Sequence, residues 1–127
     1  MKFEVNSIIS ILCLIASFLW GGFPTGLAVL AYFALIDYFT GMYAAFIKKE
    51  WSSKIGALGI AKKIFMFIVC SVAYWIDNLT HANNVLFNIV VFWYCGNEAL
   101  SILENAIKID LPIPQKLKDA VAQLKED

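Results

Sequence analysis

The chain has 127 residues, 61% of them hydrophobic and 16% charged, with a mean hydropathy of +0.72. That length holds one domain, and the composition departs from the roughly 45–50% apolar and roughly 25% charged residues of a soluble domain in the direction expected when lipid faces most side chains. Ten Lys against ten acids leave no net charge, so the total gives no electrostatic footprint for nucleic acid.

The first apolar run covers residues 5–22 and ends in Gly21-Gly22-Phe23-Pro24. Lys2 ahead of an apolar stretch also fits a signal peptide. Against that, Glu4 dilutes the positive region and a second long apolar run follows after only a tight turn, so a retained span is expected. Asn6, Ser10, Cys13, Ser17 and Gly21 recur at helical spacing as a narrow face of small or polar residues, the kind that packs helices in lipid. The second run, residues 26–47, is interrupted by one charge, Asp37, and the third, residues 57–76, carries Lys62 and Lys63 in its first two turns. The fourth, residues 85–107, contains Asn88, Asn97, Glu98, Ser101, Glu104 and Asn105. Leu111-Pro112-Ile113-Pro114 then stops the helix, and residues 115–127 read as a short amphipathic helix with Leu117, Val121 and Leu124 on one face.

Continuous apolar runs must be helices if they lie in hydrocarbon, where backbone N–H and C=O groups have no water and must bond within the segment. Barrel strands would instead alternate apolar and polar residues. The expected fold is all-α: an integral membrane domain of about four transmembrane helices over residues 1–110, and a cytoplasmic tail with the amphipathic helix over residues 111–127.

The chain has no Arg, and its ten Lys fall in three clusters. With four spans, Lys2 precedes the first, the middle five surround the turn between the second and third, and the last four follow or end the fourth. All lie on one side, while the opposite turns, residues 21–26 and 77–84, contain none. By the positive-inside rule both termini are cytoplasmic. The basic cluster Lys48, Lys49 and Lys54 is suited to hold this face on anionic lipid, at about 1 kcal/mol each.

Asp37 near the middle of a span costs roughly 2.5–3.5 kcal/mol of insertion, which the nine Leu, Ile, Val and Phe of that span offset with about 3–5 kcal/mol. Asp37, Thr40, Gly41, Ala44 and Lys48 share one helical face, and Asn97, Glu98, Ser101, Glu104 and Asn105 cluster on the fourth span. Such groups cannot face acyl chains without partners. Gly56 and Gly59 permit close approach at the start of the third span, and Lys62 and Lys63 lie one to two turns deeper. The expected pairing joins Lys63 or Lys62 to Glu98 or Glu104, with Asp37 as a second candidate partner. Interhelical hydrogen bonds in membranes average only about 0.6 kcal/mol, so polar faces add little stability. They are therefore read as joining monomers and lining an aqueous lesion, with static pairing inside one monomer as the alternative.

Catalytic, metal and cofactor chemistry finds no pattern. Cys13, Cys70 and Cys95 sit singly in apolar runs as packing residues, and His81 stands alone in a polar loop. Asn78-Leu79-Thr80 matches a glycosylation sequon, a weak pattern taken as chance.

Asp37-Tyr38-Phe39-Thr40-Gly41, then Trp51-Ser52-Ser53-Lys54-Ile55-Gly56, then Gly59-Ile60-Ala61-Lys62-Lys63, then residues 97–105 followed by Pro112-Ile113-Pro114, resemble in order the phage holins of the toxin-secretion/phage-lysis type. The resemblance runs from Asp37 to the C-terminus; residues 1–36 match only in being hydrophobic. It implies a small phage-encoded protein of the bacterial inner membrane that assembles with itself and permeabilises the membrane at a set time. A cytoplasmic endolysin then reaches the cell wall, an antiholin is a possible regulatory partner, and relatives are linked to clostridial toxin release. Carried over residue by residue, the matching positions are Asp37, Thr40, Gly41, Lys54, Gly56, Gly59, Lys63, Asn97, Glu98, Ser101, Glu104 and Asn105. Two other readings compete: a small ion channel or transporter subunit with Asp37 and Glu98 as a proton or cation site, and an antiholin-type regulatory subunit.

The topology is open to direct test. In a background lacking native cysteines, His81→Cys is expected to react with an impermeant maleimide from outside and Trp51→Cys only from inside; the reverse pattern, or both on one side, overturns it.

Overall fold

The computed structural model describes residues 1–126, and Asp127, the last residue of the expected tail, lies outside the described residues. Five helices follow in order: α1 (Lys2–Trp20), α2 (Thr25–Ile47), α3 (Ser53–Thr80), α4 (Val85–Lys108) and α5 (Gln115–Glu126). No strand occurs among the described residues. The first four are long and apolar enough to cross a membrane, and their outward surface is oily: Phe18, Leu35, Phe65, Phe92 and Trp93 are all exposed. That surface is tolerable in lipid and not in water.

Local chemistry sets the ends. After α1, Gly21 takes a left-handed conformation at φ 73° and its N–H donates to the Ser17 carbonyl, the αL closure of a helix end, while the Gly22 N–H donates to the Ala16 carbonyl. A side chain at Gly21 would also strike the Tyr74 ring, 2.6 Å from where its Cβ would sit. Ser52 caps α3, its hydroxyl accepting the Ile55 N–H at 3.1 Å. Helix α3 outruns its apolar stretch at both ends, beginning at Ser53 and continuing to Thr80. Residues 77–80, read from sequence as loop, therefore belong to the helix.

That extension has a purpose in Asp77, which is buried at 2% exposure. Its two carboxylate oxygens accept the Leu86 and Phe87 N–H groups at 3.1 and 2.7 Å. These are the second and third amides of α4, the donors that an N-cap side chain normally satisfies. Asn84, at the cap position, makes no such bond. The cap of α4 is thus supplied by the preceding helix, and it ties the α3–α4 reversal together.

α2 and α4 form the most extensive packing pair, α3 packs on α4, and α1 packs on α3 alone. Separated by one crossing helix, α2 and α4 run parallel. An apolar cluster of Leu27, Leu30, Ala34, Met66, Cys70, Phe87 and Val91 fills the half of the bundle near the lysine-free turns. Small residues on α2 let α4 approach: Val91 lies 3.3 Å from where a Cβ on Gly26 would be.

α1 stands apart, with no buried residue. Its expected packing stripe is uncovered, since Asn6, Ser10, Cys13 and Ser17 are all exposed. It is held near one end by two indoles: Trp20 donates to the Phe67 carbonyl at 3.0 Å, and Trp75 donates to the Phe18 carbonyl at 2.9 Å. The Phe18 carbonyl lies in the last turn of α1, where helical donors have run out. Phe18–Trp75 and Trp20–Phe67 ring contacts reinforce the join.

Asp77→Ala removes both acceptors from the start of α4. It is expected to cost about 1–2 kcal/mol and to lower the thermal midpoint in detergent by several degrees, with Asp77→Asn losing less. An unchanged midpoint in Asp77→Ala would remove the cap from this account.

Candidate functional site

In the other half of the bundle the polar side chains meet. Asp37 lies about 18 Å along α2, a helix about 34 Å long at about 1.5 Å per residue, and so near the centre of the candidate span. Lys63 reaches it from α3: its Nζ donates to Asp37 Oδ2 at 2.8 Å, and to Glu98 Oε1 and Oε2 of α4 at 3.0 and 2.9 Å. One ammonium thus joins three helices. All three side chains are well shielded, at 19% exposure for Lys63, 13% for Asp37 and 10% for Glu98.

A second layer completes the first. The Asn105 amide donates to the Asp37 carbonyl at 3.1 Å, to Asp37 Oδ1 at 3.0 Å and to Thr40 Oγ1 at 2.9 Å. Asn105 therefore takes the Asp37 oxygen that Lys63 leaves. Thr40 donates back to the Ile36 carbonyl at 2.7 Å, one turn earlier on its own helix. The absence of a side chain at Gly41 makes room, because a Cβ there would stand 3.4 Å from Asn105 Nδ2. Among the described residues no buried side-chain nitrogen or oxygen lacks a partner. In a medium without water this satisfaction decides whether such a network is tolerable.

The glycines expected from sequence serve a residue that the sequence reading passed over. Tyr38 lies across Gly56 and Gly59, with its ring 3.4 Å from the Cβ position of Gly59, and its hydroxyl donates to the Gly56 carbonyl at 3.3 Å. The two glycines flatten α3 where this aromatic side chain crosses from α2. Its neighbour Asp37 drew attention as a charge, while a tyrosine beside a phenylalanine reads as ordinary lipid-facing bulk.

Ser101 stands against the Asp37 carboxylate, and the other remaining expected positions are outside the ion cluster. Lys62, Asn97 and Ser101 line an open groove of about 800 Å³ together with Lys108 and the triad itself. Lys62 and Asn97 are exposed, Ser101 is half-buried, and Glu104 is half-buried further along α4. Lys48, Lys49 and Lys54 are exposed around the α2–α3 turn. There Lys49 takes a left-handed conformation, and the Glu50 N–H closes on the Ala45 carbonyl at 2.8 Å. No group of three or more His, Cys, Asp or Glu able to hold a metal ion occurs among the described residues. The chemistry available is ion pairing: it locks α2, α3 and α4 at one depth and depends on all members being present.

Removing Lys63 alone leaves two carboxylates facing each other, so Lys63→Met is expected to cost about 3–5 kcal/mol and to depress the thermal midpoint in detergent sharply. Adding Asp37→Asn and Glu98→Gln is expected to recover most of that loss, as a coupled network requires. Additive losses in the triple variant would show that the three side chains do not act as a unit.

The sequence profile of the bacteriophage holin family matches residues 14–126. A probable holin of Bacillus phage phi105 is 36% identical over 93 residues, 73% of this chain and 69% of its own length. Uncharacterized proteins of Halalkalibacterium halodurans and Clostridium perfringens are similar at 35% and 38% identity. They cover 93% and 85% of this chain, and 91% and 83% of their own lengths. No solved structure matches. The family is a membrane-permeabilising, non-enzymatic one. With its four bilayer-length helices and a profile match from the middle of α1 to the end of α5, the chain is a membrane-embedded protein that belongs to the bacteriophage holin family.

Proposed function

We propose that the chain is a holin of the bacterial cytoplasmic membrane, with both termini inside, that assembles with copies of itself and opens the membrane to a cytoplasmic endolysin. The observation that carries this reading is the family match over residues 14–126, supported by the relative named a probable holin in phage phi105. The architecture is compatible with the work. A holin must first rest in the bilayer without leaking, and a triad bonded inside one chain pairs the charges of the monomer's interior. It must then exchange lipid contacts for contacts with its own kind, and α1 carries an uncovered stripe of Asn6, Ser10, Cys13 and Ser17 for that exchange. Helix association in bilayers favours such small and polar faces. Asp37, Thr40, Gly41, Asn97, Glu98, Ser101, Glu104 and Asn105 are the positions from which the wall of an aqueous lesion would be drawn. Release of a toxin in place of an endolysin would use the same opening.

A selective channel or transporter is the weaker reading, because the acids it would use to bind a cation, Asp37 and Glu98, are already bonded to Lys63.

Inducible expression in a bacterium carrying a membrane-potential dye tests the proposal. Abrupt depolarisation after a delay is expected, with lysis only when a cytoplasmic endolysin is co-expressed. Asp37→Ala is expected to shift the onset while membrane insertion persists. Stable potential throughout expression would sink the holin reading, and delayed lysis by a second holin on co-expression would assign the chain to the antiholin class.

A further inference from the structure

The groove that the triad lines on one side has a second wall that the ion network does not use. Ile55, Leu58, Lys62, Phe65 and Val69 of α3 follow one another at spacings of three and four residues, which places them on one helical stripe, and all five line the groove. None is covered: the apolar four are 53%, 52%, 66% and 39% exposed, and Lys62 is exposed as well. A second cation, Lys108 from the end of α4, lines the same groove from the other side. Among the described residues no ion pair engages Lys62 or Lys108, whereas the adjacent Lys63 is bonded to two carboxylates. Among the described lining residues the acids are Asp37 and Glu98, both bonded to Lys63, and Glu50 at the mouth.

Side chains on a helix lean toward its N-terminus, so Lys62 slopes back toward the lysine-rich end of the bundle, where α4 ends at Lys108. A lysine in this setting extends its stem along apolar surface and carries its ammonium to the headgroup level. The result is an apolar slot running up α3 with two cations, from two helices, at its mouth.

We propose that this groove is a binding site for a single anionic phospholipid, its phosphate held between Lys62 and Lys108 and one acyl chain lying along the α3 stripe. Charge and shape select this occupant together. The cations fit a headgroup with net negative charge, and the stripe above Lys62, Phe65 and Val69, fits the hydrocarbon attached to it. A soluble anion would match only the lysines. The site is a property of the resting chain and stands independently of whether the protein opens membranes.

The test uses the full chain in phosphatidylcholine nanodiscs containing a trace of lipid spin-labelled on the acyl chain, with the motionally restricted fraction read by electron paramagnetic resonance. Labelled phosphatidylglycerol is expected to be retained roughly tenfold over labelled phosphatidylcholine, within the preference that two lysines near the headgroups can supply. In Lys62→Gln/Lys108→Gln that preference is expected to fall to near unity, while Lys116→Gln/Lys118→Gln on α5 keeps it. Val69→Trp, which fills the slot above Lys62 without altering charge, is expected to lower the restricted phosphatidylglycerol even with both lysines present. Lys62, Lys108, Lys116 and Val69 are exposed and Lys118 is half-buried, and wild-type helicity and thermal midpoint accompany each reading. Undiminished preference in Lys62→Gln/Lys108→Gln, an equal loss in the α5 control, or undiminished restricted lipid in Val69→Trp would overturn the site. Loss of the preference on adding millimolar inorganic phosphate would replace it with a free-anion site.

Discussion

A charged side chain inside hydrocarbon has no solvent to retreat to, and the arrangement of this bundle follows from how Lys63 meets that constraint. Its ammonium needs acceptors, and the chain supplies them from two other helices: Asp37 on α2 and Glu98 on α4. Once those three positions share a depth, the register of α2, α3 and α4 is set, and the remaining donors and acceptors fall into line around them. Asn105 fills the free oxygen of Asp37, and Thr40 takes the amide hydrogen that Asn105 shares with it. The network gives more specificity than stability. A buried ion pair gains little over packed apolar side chains, but losing one member leaves an uncompensated charge, so helix slippage is penalised strongly.

Steric permission comes from the small residues. Gly26, Ala34, Gly41 and Ala44 lie along α2 where it faces α4, and Ala34 and Ala44 are among the most buried side chains. In lipid there is no hydrophobic drive to bring two helices together, so close backbone approach and polar bonds must do it. The bundle divides accordingly: an apolar cluster between the lysine-free turns and mid-depth, and a polar one toward the lysine-rich end. Tyr38 lying on Gly56 and Gly59 is the same device used once between α2 and α3, whose direct contact is otherwise slight.

The helices and their number were legible in the sequence because continuous apolar runs admit little else in a bilayer. The meeting of Lys63 with Glu98 was legible for a simpler reason: both lie in the half of the bundle toward the lysine-rich end, and a carboxylate at that depth has few partners. Which of Lys62 and Lys63 turns inward was not legible, since neighbours on a helix differ by about 100° and only the packing angle of α3 decides. Asp77 was missed because an acid at the end of an apolar run looks like the first residue of a loop. Its role appears only once the chain has reversed and brought the bare amides of α4 over it. The stripe on α1 was read as a packing face, and its spacing could not say that α3 would leave it uncovered.

The attachment of α1 carries a consequence for the ensemble. Two indole–carbonyl bonds at about 0.6 kcal/mol each and two ring contacts at about 0.5–1.5 kcal/mol each amount to about 2–4 kcal/mol, with no hydrophobic term added because acyl chains solvate the vacated surface equally well. At tenfold per 1.4 kcal/mol, that corresponds to roughly one molecule in thirty to one in a thousand with its first helix peeled away while α2, α3 and α4 stay locked. Local opening of this kind lies far below global unfolding. The chain therefore keeps a standing minority in which a whole face of α3, with Trp75 and the Phe67 carbonyl, stands bare to the membrane.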